Sequence, residues 1–469
     1  MDKRNNKLGK VYTPTKIVRL ILDLTGYQGD AIRNKHVIDN SCGDGAFLCE
    51  IVRRYCNLTN KDPNLKNELE TYIHGIDIDE IAVKECRQNL NCIAKEFGLE
   101  GLNWDVKPSD ALSDRSFNNK MNFVVGNPPY IRIHNVNNIN EIKTHFKYFQ
   151  NGMSDLYLAF FEVGLNMLSD KGTLGYITPS SYFNSLAGVE MRADFVKRNL
   201  INTVVDLKHN QVFDNATTYT AITILKKGRL NSDVNYQEYK QAPVILNSDD
   251  FYFNKKFSFA KKSNLSFMKE VTSSPNQNEV KVKNGFATLC DSVFVANSFP
   301  FESDYIIPVI KASKGEYKKI IFPYDNLSTL LSENTLKGTA VYQYLCEHYS
   351  QLENRSLEDH SKWYSFGRTQ GIADVHKDKL TLNTLIRNVS DLKILSAPKG
   401  TGVYSGLYIT SSSYPLNQIK VILLTDEFVK YVKLLAKYKS GGYYTFSSKD
   451  VQKYLDYKIG KIDKINNKK

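Results

Sequence analysis

Residues 37–47 read Val37-Ile38-Asp39-Asn40-Ser41-Cys42-Gly43-Asp44-Gly45-Ala46-Phe47. A short apolar run gives way to a polar turn with two glycines, and a helix-forming stretch follows. That is the pattern of a first strand, a tight turn and a first helix in an α/β unit. Glycine lets the turn backbone approach a ligand closely at the carboxyl end of the strand. There is no third glycine at dinucleotide spacing and no Gly-Lys-Ser/Thr to cradle a nucleotide phosphate. The turn therefore suits a ligand without a pyrophosphate.

The flanking sequence repeats the alternation. Further strands are expected at Thr71–Ile76, Asn122–Val125, Thr173–Thr178, Ile201–Val205 and Tyr219–Leu225, with helices at Ala46–Tyr55, Ile81–Phe97 and Asp155–Leu168. This spacing predicts an α/β fold with a parallel, doubly wound sheet. The pattern changes after Lys226-Lys227-Gly228-Arg229, where a stretch rich in Asn, Ser and Asp runs through Asp250. Beyond it come short strand-like runs rich in Tyr and Lys. The expected organisation is a first domain over 1–240, a linker over 241–274 and a mixed α+β domain over 275–469. Residues 458–469 read as a frayed basic tail.

Composition excludes several classes. The 469 residues are 42% hydrophobic and 24% charged, an ordinary globular balance. No apolar run approaches a membrane span, and the polar N-terminus has no secretory h-region. A cytoplasmic protein without a membrane partner is expected. The seven cysteines include no Cys-x-x-Cys pair, so they read as reduced core thiols. Histidine is scarce and lacks ligand spacing, so no metal site is predicted. The net charge of +12 suits a polyanion partner, although Lys- and Asn-rich composition alone produces the same surplus.

A second stretch carries chemistry. Gly126-Asn127-Pro128-Pro129-Tyr130 directly follows the apolar run Asn122-Phe123-Val124-Val125. A nucleobase amino group is a poor nucleophile because its lone pair is delocalised into the ring. The Asn127 amide oxygen and the Pro128 carbonyl are two acceptors that can share its two N–H bonds, favouring a pyramidal nitrogen. Two prolines stiffen the loop, and Tyr130 offers a face on which a base can stack. The plain alternative is a Pro-Pro turn after a strand.

Acids at other strand ends extend the reading. Gly75-Ile76-Asp77-Ile78-Asp79 places an acid where ribose hydroxyls are accepted in nucleoside-binding α/β folds. In Lys107-Pro108-Ser109-Asp110-Ala111, Asp110 is placed to accept from an adenine amino group. Singly, Asp39 could be a surface turn acid, Asp77 a helix N-cap and Asp110 a loop residue. Together, a ribose acid, an adenine reader and no phosphate cradle indicate S-adenosylmethionine.

In this order the motifs resemble the gamma class of adenine-N6 DNA methyltransferases of bacterial restriction–modification systems, the TaqI-methylase-like group. The resemblance is specific over residues 9–225. Gly9-Lys10-Val11-Tyr12-Thr13-Pro14 is similar to the N-terminal cofactor motif, which implies that Thr13 touches the methionine moiety. It further implies that Asp39, Asn40 and Ser41 contact that moiety, that Asp77 holds the ribose, and that Ile78 packs on the adenine read by Asp110. Gly43, Ala111 and Pro129 join the implied cofactor positions. Asn127, Pro128 and Tyr130 match the catalytic loop. Asp155-Leu156-Tyr157 and Ile177-Thr178-Pro179-Ser180-Ser181-Tyr182-Phe183 resemble later motifs, and Phe213 falls where an aromatic closes the base pocket opposite Tyr130. Lys362-Trp363-Tyr364-Ser365-Phe366-Gly367-Arg368 and Gly441-Gly442-Tyr443-Tyr444-Thr445-Phe446 resemble segments of target-recognition domains, with Arg368 and Gln370 as candidate base readers.

The resemblance implies a Rossmann-like methyltransferase domain followed by a target-recognition domain. It implies methyl transfer from S-adenosylmethionine to N6 of a flipped-out adenine in double-stranded DNA, by an enzyme that is part of, or derived from, a restriction–modification system. A monomer is expected, and whether a cognate restriction endonuclease accompanies it stays open. Neither a metal nor a covalent intermediate is required. The loop lacks the Pro-Cys nucleophile that cytosine ring methylation needs. A fused nuclease is not expected, because the first motif begins at residue 9 and no clear nuclease core follows residue 240. Two other substrates remain open, an RNA adenine and a protein glutamine amide.

Overall fold

The computed structural model describes residues 13–59, 62–133, 139–150, 154–213, 218–276 and 279–466. Residues 9–12 of the N-terminal motif lie outside the described residues. The chain divides into two compact units, Met1–Leu265 and Ser266–Lys469.

The first unit is built on nine strands: β1 (Val37–Asp39), β2 (Ile73–Asp77), β3 (Asp105–Pro108), β4 (Met121–Gly126), β5 (Leu168–Pro179), β6 (Ile201–Asp206), β7 (Thr220–Lys226), β8 (Val234–Glu238) and β9 (Val244–Leu246). Their order is β3-β2-β1-β4-β5-β7-β6-β8-β9. Strands β1 to β5 are parallel neighbours, as the alternation predicts. The expectation of a wholly parallel sheet fails at β7, which runs antiparallel to both β5 and β6. A parallel return needs a long crossover, usually a helix. The described residues between β6 and β7 form turns instead, so the chain doubles back. Strands β8 and β9 extend the same edge.

From β1 the chain moves to β2 and β3 on one side, then crosses to β4 on the other. The order therefore reverses between β1 and β4, and a crevice opens at their carboxyl ends. Register sets Asp39 beside Val125, one residue before Gly126. The glycine turn after β1 and the Asn-Pro-Pro-Tyr loop after β4 thus leave the sheet side by side.

Helices cover the sheet with apolar stripes. Helix α1 (Thr15–Thr25) buries Ile17, Val18, Ile21 and Leu22 at helical spacing and ends at Gly26. Helix α2 (Ala46–Thr59) follows the glycine turn, and α3 (Glu80–Glu96) follows β2. Cys42, Cys56 and Cys86 are buried in the same core. Helix α4 (Tyr157–Met167) buries nine of its eleven residues, which explains its continuous apolar sequence.

Residues 241–274, expected as a linker, are instead structured. They hold β9, the short helix Ser248–Phe251, a hairpin of Tyr252–Phe253 with Lys256–Phe257, and the helix Lys262–Ser273. Phe251, Phe257 and Phe259 pack on one another, and Phe259 stacks on Tyr236 of β8. Burying these rings attaches the segment to the first unit, moving the boundary to Leu265.

The second unit is mixed α+β. One four-stranded sheet joins Val280–Asn284, Leu407–Ser411, Lys379–Leu382 and Ser396–Ala397. Another joins Val295–Ala296, Glu316–Ile321, Ile306–Lys311 and Gly402–Tyr404. The supposed basic tail is helix up to Asn466 within Ser448–Asn466, because Tyr454, Leu455 and Ile459 are buried on one face. Trp363, Tyr364 and Phe366 are core residues, while Arg368 and Gln370 are exposed. The buried Arg355 guanidinium donates to the carbonyls of Thr288, Trp363 and Ser365, which holds this segment in place. Among the described residues, no helix is long and apolar enough to cross a membrane.

Candidate active site

Asp39 ends β1 and is only 1% exposed. Burial is the main reason its carboxyl is pushed up to about 8, and Asp77 and Asp44 raise it further. The Ser41 N–H, donating to Asp39 Oδ1 at 3.1 Å, opposes the shift. The carboxyl can lie this close to β4 because residue 126 is glycine. A Cβ there would sit 2.7 Å from Asp39 Oδ1, and φ is +153°. The sequence reading passed over Gly126; its only signal is a glycine directly before the Asn-Pro-Pro-Tyr loop.

The glycine turn is closed from below by Cys86 of α3. A Cβ on Gly45 would meet the Cys86 Sγ at 2.7 Å, and Gly45 has φ +96°. Gly43 donates its N–H to Asp77 Oδ2 at 2.9 Å, which ties the first turn to the end of β2. Asp77 Oδ1 accepts the Asp79 N–H at 2.9 Å. The N-cap of α3 is Asp79, whose side chain accepts the Ile81 N–H. Asp77 is therefore the acid that ends β2 at the crevice and not the helix cap.

Ile78, between them, is 66% exposed. Asp110 Oδ1 accepts the Leu112 N–H at 2.9 Å, and Ala111 is buried beside it. The Ser109 N–H bonds to the Asp77 carbonyl, bringing this loop to the same edge. Asn40 departs from expectation. Its side chain is turned into the core, accepting from the Tyr176 hydroxyl at 2.9 Å with its Nδ2 against the Met167 sulfur. Its backbone is the part that lies in the turn.

These residues pass a test for S-adenosylmethionine. The Ser41 Oγ is buried and lacks a hydrogen-bond partner among the described residues. Such a group costs about 1–3 kcal/mol unless a ligand satisfies it. Beside it the Asp39 carboxyl resists ionisation until a cation approaches. An exposed isoleucine offers a flat ring apolar cover. An orphaned hydroxyl, a buried acid and an uncovered apolar residue fit a ligand with a cationic amino-acid end and a purine.

The catalytic loop stands next to them. Asn127 Nδ2 donates to Thr13 Oγ1 at 3.1 Å, so Thr13 reaches the loop itself. Pro128 is buried, Pro129 half-buried. The Tyr130 hydroxyl donates to the Ile177 carbonyl at 3.3 Å, anchoring the ring to β5. Residues 131–133 then pair with 154–156, including the Arg132–Asp155 bridge, so the loop is braced by the chain entering α4.

Tyr130 has two aromatic neighbours. Phe213 lies 6.4 Å away at 76°. Tyr157 lies 6.5 Å away at 77° and was not foreseen. Its hydroxyl is 3.1 Å from Ser181 Oγ, in the turn after β5. Sandwiching a base between two rings needs parallel planes about 7 Å apart. The two rings meet edge to face and do not form such a sandwich.

The family profile described as N-6 DNA Methylase matches residues 2–291, more than half of the chain. The chain belongs to the N-6 DNA methylase family. This N-6 DNA methylase is 26% identical over 415 residues to the type II methyltransferase M.BstVI of Geobacillus stearothermophilus, covering 76% of the chain and 73% of the relative. It is 22% identical to the type II restriction enzyme and methyltransferase RM.Eco57I of Escherichia coli, covering 90% of the chain and 54% of that protein. Among solved structures it shares the fold of the type IIL restriction–modification enzyme MmeI in complex with DNA. That match has a TM-score of 0.66 at 12% identity, over 96% of this chain and 68% of that one. As an N-6 DNA methylase the chain is a DNA adenine methyltransferase, of a family that uses S-adenosylmethionine.

Proposed function

We propose that this protein methylates N6 of a flipped-out adenine at a defined sequence in double-stranded DNA, as part of, or derived from, a restriction–modification system. The observation that carries the reading is adjacency. The buried acid and orphaned serine after β1 stand beside the Asn-Pro-Pro-Tyr loop after β4.

The cofactor would be held by Asp39 and Ser41 at its methionine end, by Asp77 at the ribose, and by Ile78 and Asp110 at the adenine. Gly43, Ala111, Pro129 and the Asn40 backbone would complete the lining. When bound, S-adenosylmethionine supplies an electrophilic methyl group on a sulfonium. The protein then needs alignment more than acid–base strength. Asn127 Oδ1 and the Pro128 carbonyl accept from the target amino group and turn its lone pair toward the donor. Flipping the base costs a few kcal/mol, offset by stacking on Tyr130 with Phe213 closing behind it. The second unit, 266–469, is the target-recognition domain. There lysines and arginines grip phosphates, and Arg368 and Gln370 are the exposed candidates for base edges. The enzyme acts as a monomer in the bacterial cytoplasm, and a cognate restriction endonuclease is the partner that an intact restriction–modification system would supply.

The test is to incubate the purified chain with labelled S-adenosylmethionine and unmethylated duplex DNA, and identify the product nucleoside by mass spectrometry. N6-methyladenine is expected. Label appearing in RNA or a protein glutamine instead would overturn the substrate. Asn127→Ala should lower turnover at least about 10²-fold, the loss typical of one positioned polar group at the reacting atom, with cofactor affinity unchanged.

A further inference from the structure

Thr13 was expected to face the cofactor. We infer that it is a positioning residue for the reaction itself: its hydroxyl holds the Asn127 amide in the orientation that presents Oδ1 to the target amino group. The inference rests on the catalytic role proposed for Asn127.

An Asn amide carries two donors on one side and an acceptor on the other, and its χ2 well is broad and roughly two-fold. Rotated by half a turn, Asn127 would point N–H bonds at the N–H bonds of its substrate. In the structure Nδ2 donates to Thr13 Oγ1 at 3.1 Å, which turns Oδ1 away from Thr13. Thr13 is itself well held. It is 9% exposed and precedes Pro14, which restricts it to extended backbone. The Pro14 carbonyl accepts the N–H groups of Ile17 and Val18, opening α1. Helix α1 is pinned by Ile17, Val18, Ile21 and Leu22, each at most 1% exposed. The hydroxyl is therefore carried by a rigid element that comes from a different part of the chain than the loop it restrains. One net hydrogen bond restraining the amide predicts a rate effect of roughly tenfold, the equivalent of about 1.4 kcal/mol.

The experiment uses the full chain, single-turnover methyl transfer to unmethylated duplex DNA, and calorimetric binding of S-adenosylmethionine. Thr13→Val should lower the transfer rate at saturating cofactor roughly tenfold while leaving the cofactor Kd within about twofold. Thr13→Ser, which keeps the hydroxyl, should restore it. Adding Thr13→Val to Asn127→Ala should cost nothing further, because the amide is already gone. A weakened Kd with an unchanged saturated rate would make Thr13 a cofactor ligand and overturn the inference. Equal losses in the Val and Ser variants would make it structural and do the same. Formation of N6-methyladenine by the unaltered protein upholds the parent reading whatever Thr13 does. Absence of transfer to any substrate would overturn both.

Discussion

Replacing Asp39 by Asn tests whether the crevice is built for a cation. The change is nearly isosteric, and the amide oxygen can still accept the Ser41 N–H. What it removes is a carboxyl that burial pushes up to about 8. A raised folded-state value means that the native protein holds the proton while the unfolded chain releases it. The stability this contributes is fully present below the unfolded value near 4 and is lost as pH rises through about 8. Each pH unit in that window is worth about 1.4 kcal/mol, so from pH 5 to pH 8 the native wild type should lose about 4 kcal/mol relative to Asp39→Asn. In a unit of this size 1 kcal/mol moves Tm by roughly 2–4 °C, so the melting temperatures should diverge by roughly 8–16 °C. The assay is thermal unfolding of the ligand-free proteins at pH 5, 6.5 and 8. Saturating S-adenosylmethionine should close the gap in wild type by ionising Asp39, and calorimetry in buffers of different ionisation heat should detect close to one proton released at pH 7. Melting temperatures that run parallel across the three pH values would refute the buried-acid account.

The acids after β2 separate by role. Asp77→Ala should weaken cofactor binding by about 1–3 kcal/mol, as for a lost charge-assisted bond, whereas Asp79→Ala should lower stability by about 1 kcal/mol through loss of the α3 cap; calorimetry beside melting curves reads both, and the reverse pattern would move the ribose contact to Asp79. Gly126→Ala places a Cβ 2.7 Å from Asp39 Oδ1 and should destabilise by about 1–3 kcal/mol through backbone strain, with cofactor affinity falling too; a neutral variant would show that Asp39 does not need the close approach. Duplex DNA affinity should fall steeply with salt, log Kobs against log salt being linear with a slope of about −0.9 per phosphate neutralised; a flat response in a filter-binding titration would argue against a phosphate-gripping second unit.

Much of the first unit was legible because its signals are local. Strand β1 was read residue for residue from Val37-Ile38-Asp39, and α3 and β4 to within one residue at each end, since short apolar runs and helical periodicity need no knowledge of the partner. The antiparallel β7 was not legible. An apolar strand buried on both faces reads the same in either direction. Residues 241–274 were taken as linker for a related reason: their polar residues dominate the composition, while the aromatic rings of 251–259 find partners distant in sequence, Tyr236 on β8 and Tyr182 and Phe183 after β5. The final helix was missed because its lysines mask a buried face of Tyr454, Leu455 and Ile459.

The candidate site divides in the same way. By itself the sequence determined the family, the cofactor class and the residue types of both loops, because Gly-x-Gly and Asn-Pro-Pro-Tyr are contiguous motifs whose chemistry is written in neighbouring residues. Only the tertiary structure decided which way each side chain turns. It sent the Asn40 amide into the core against Tyr176, made Asp79 and not Asp77 the helix cap, and set Tyr157 beside Tyr130. It also carried Thr13 across 114 residues of chain to the Asn127 amide. Such pairings arise from strand register and from helix packing over the sheet, and no sequence-local period encodes them.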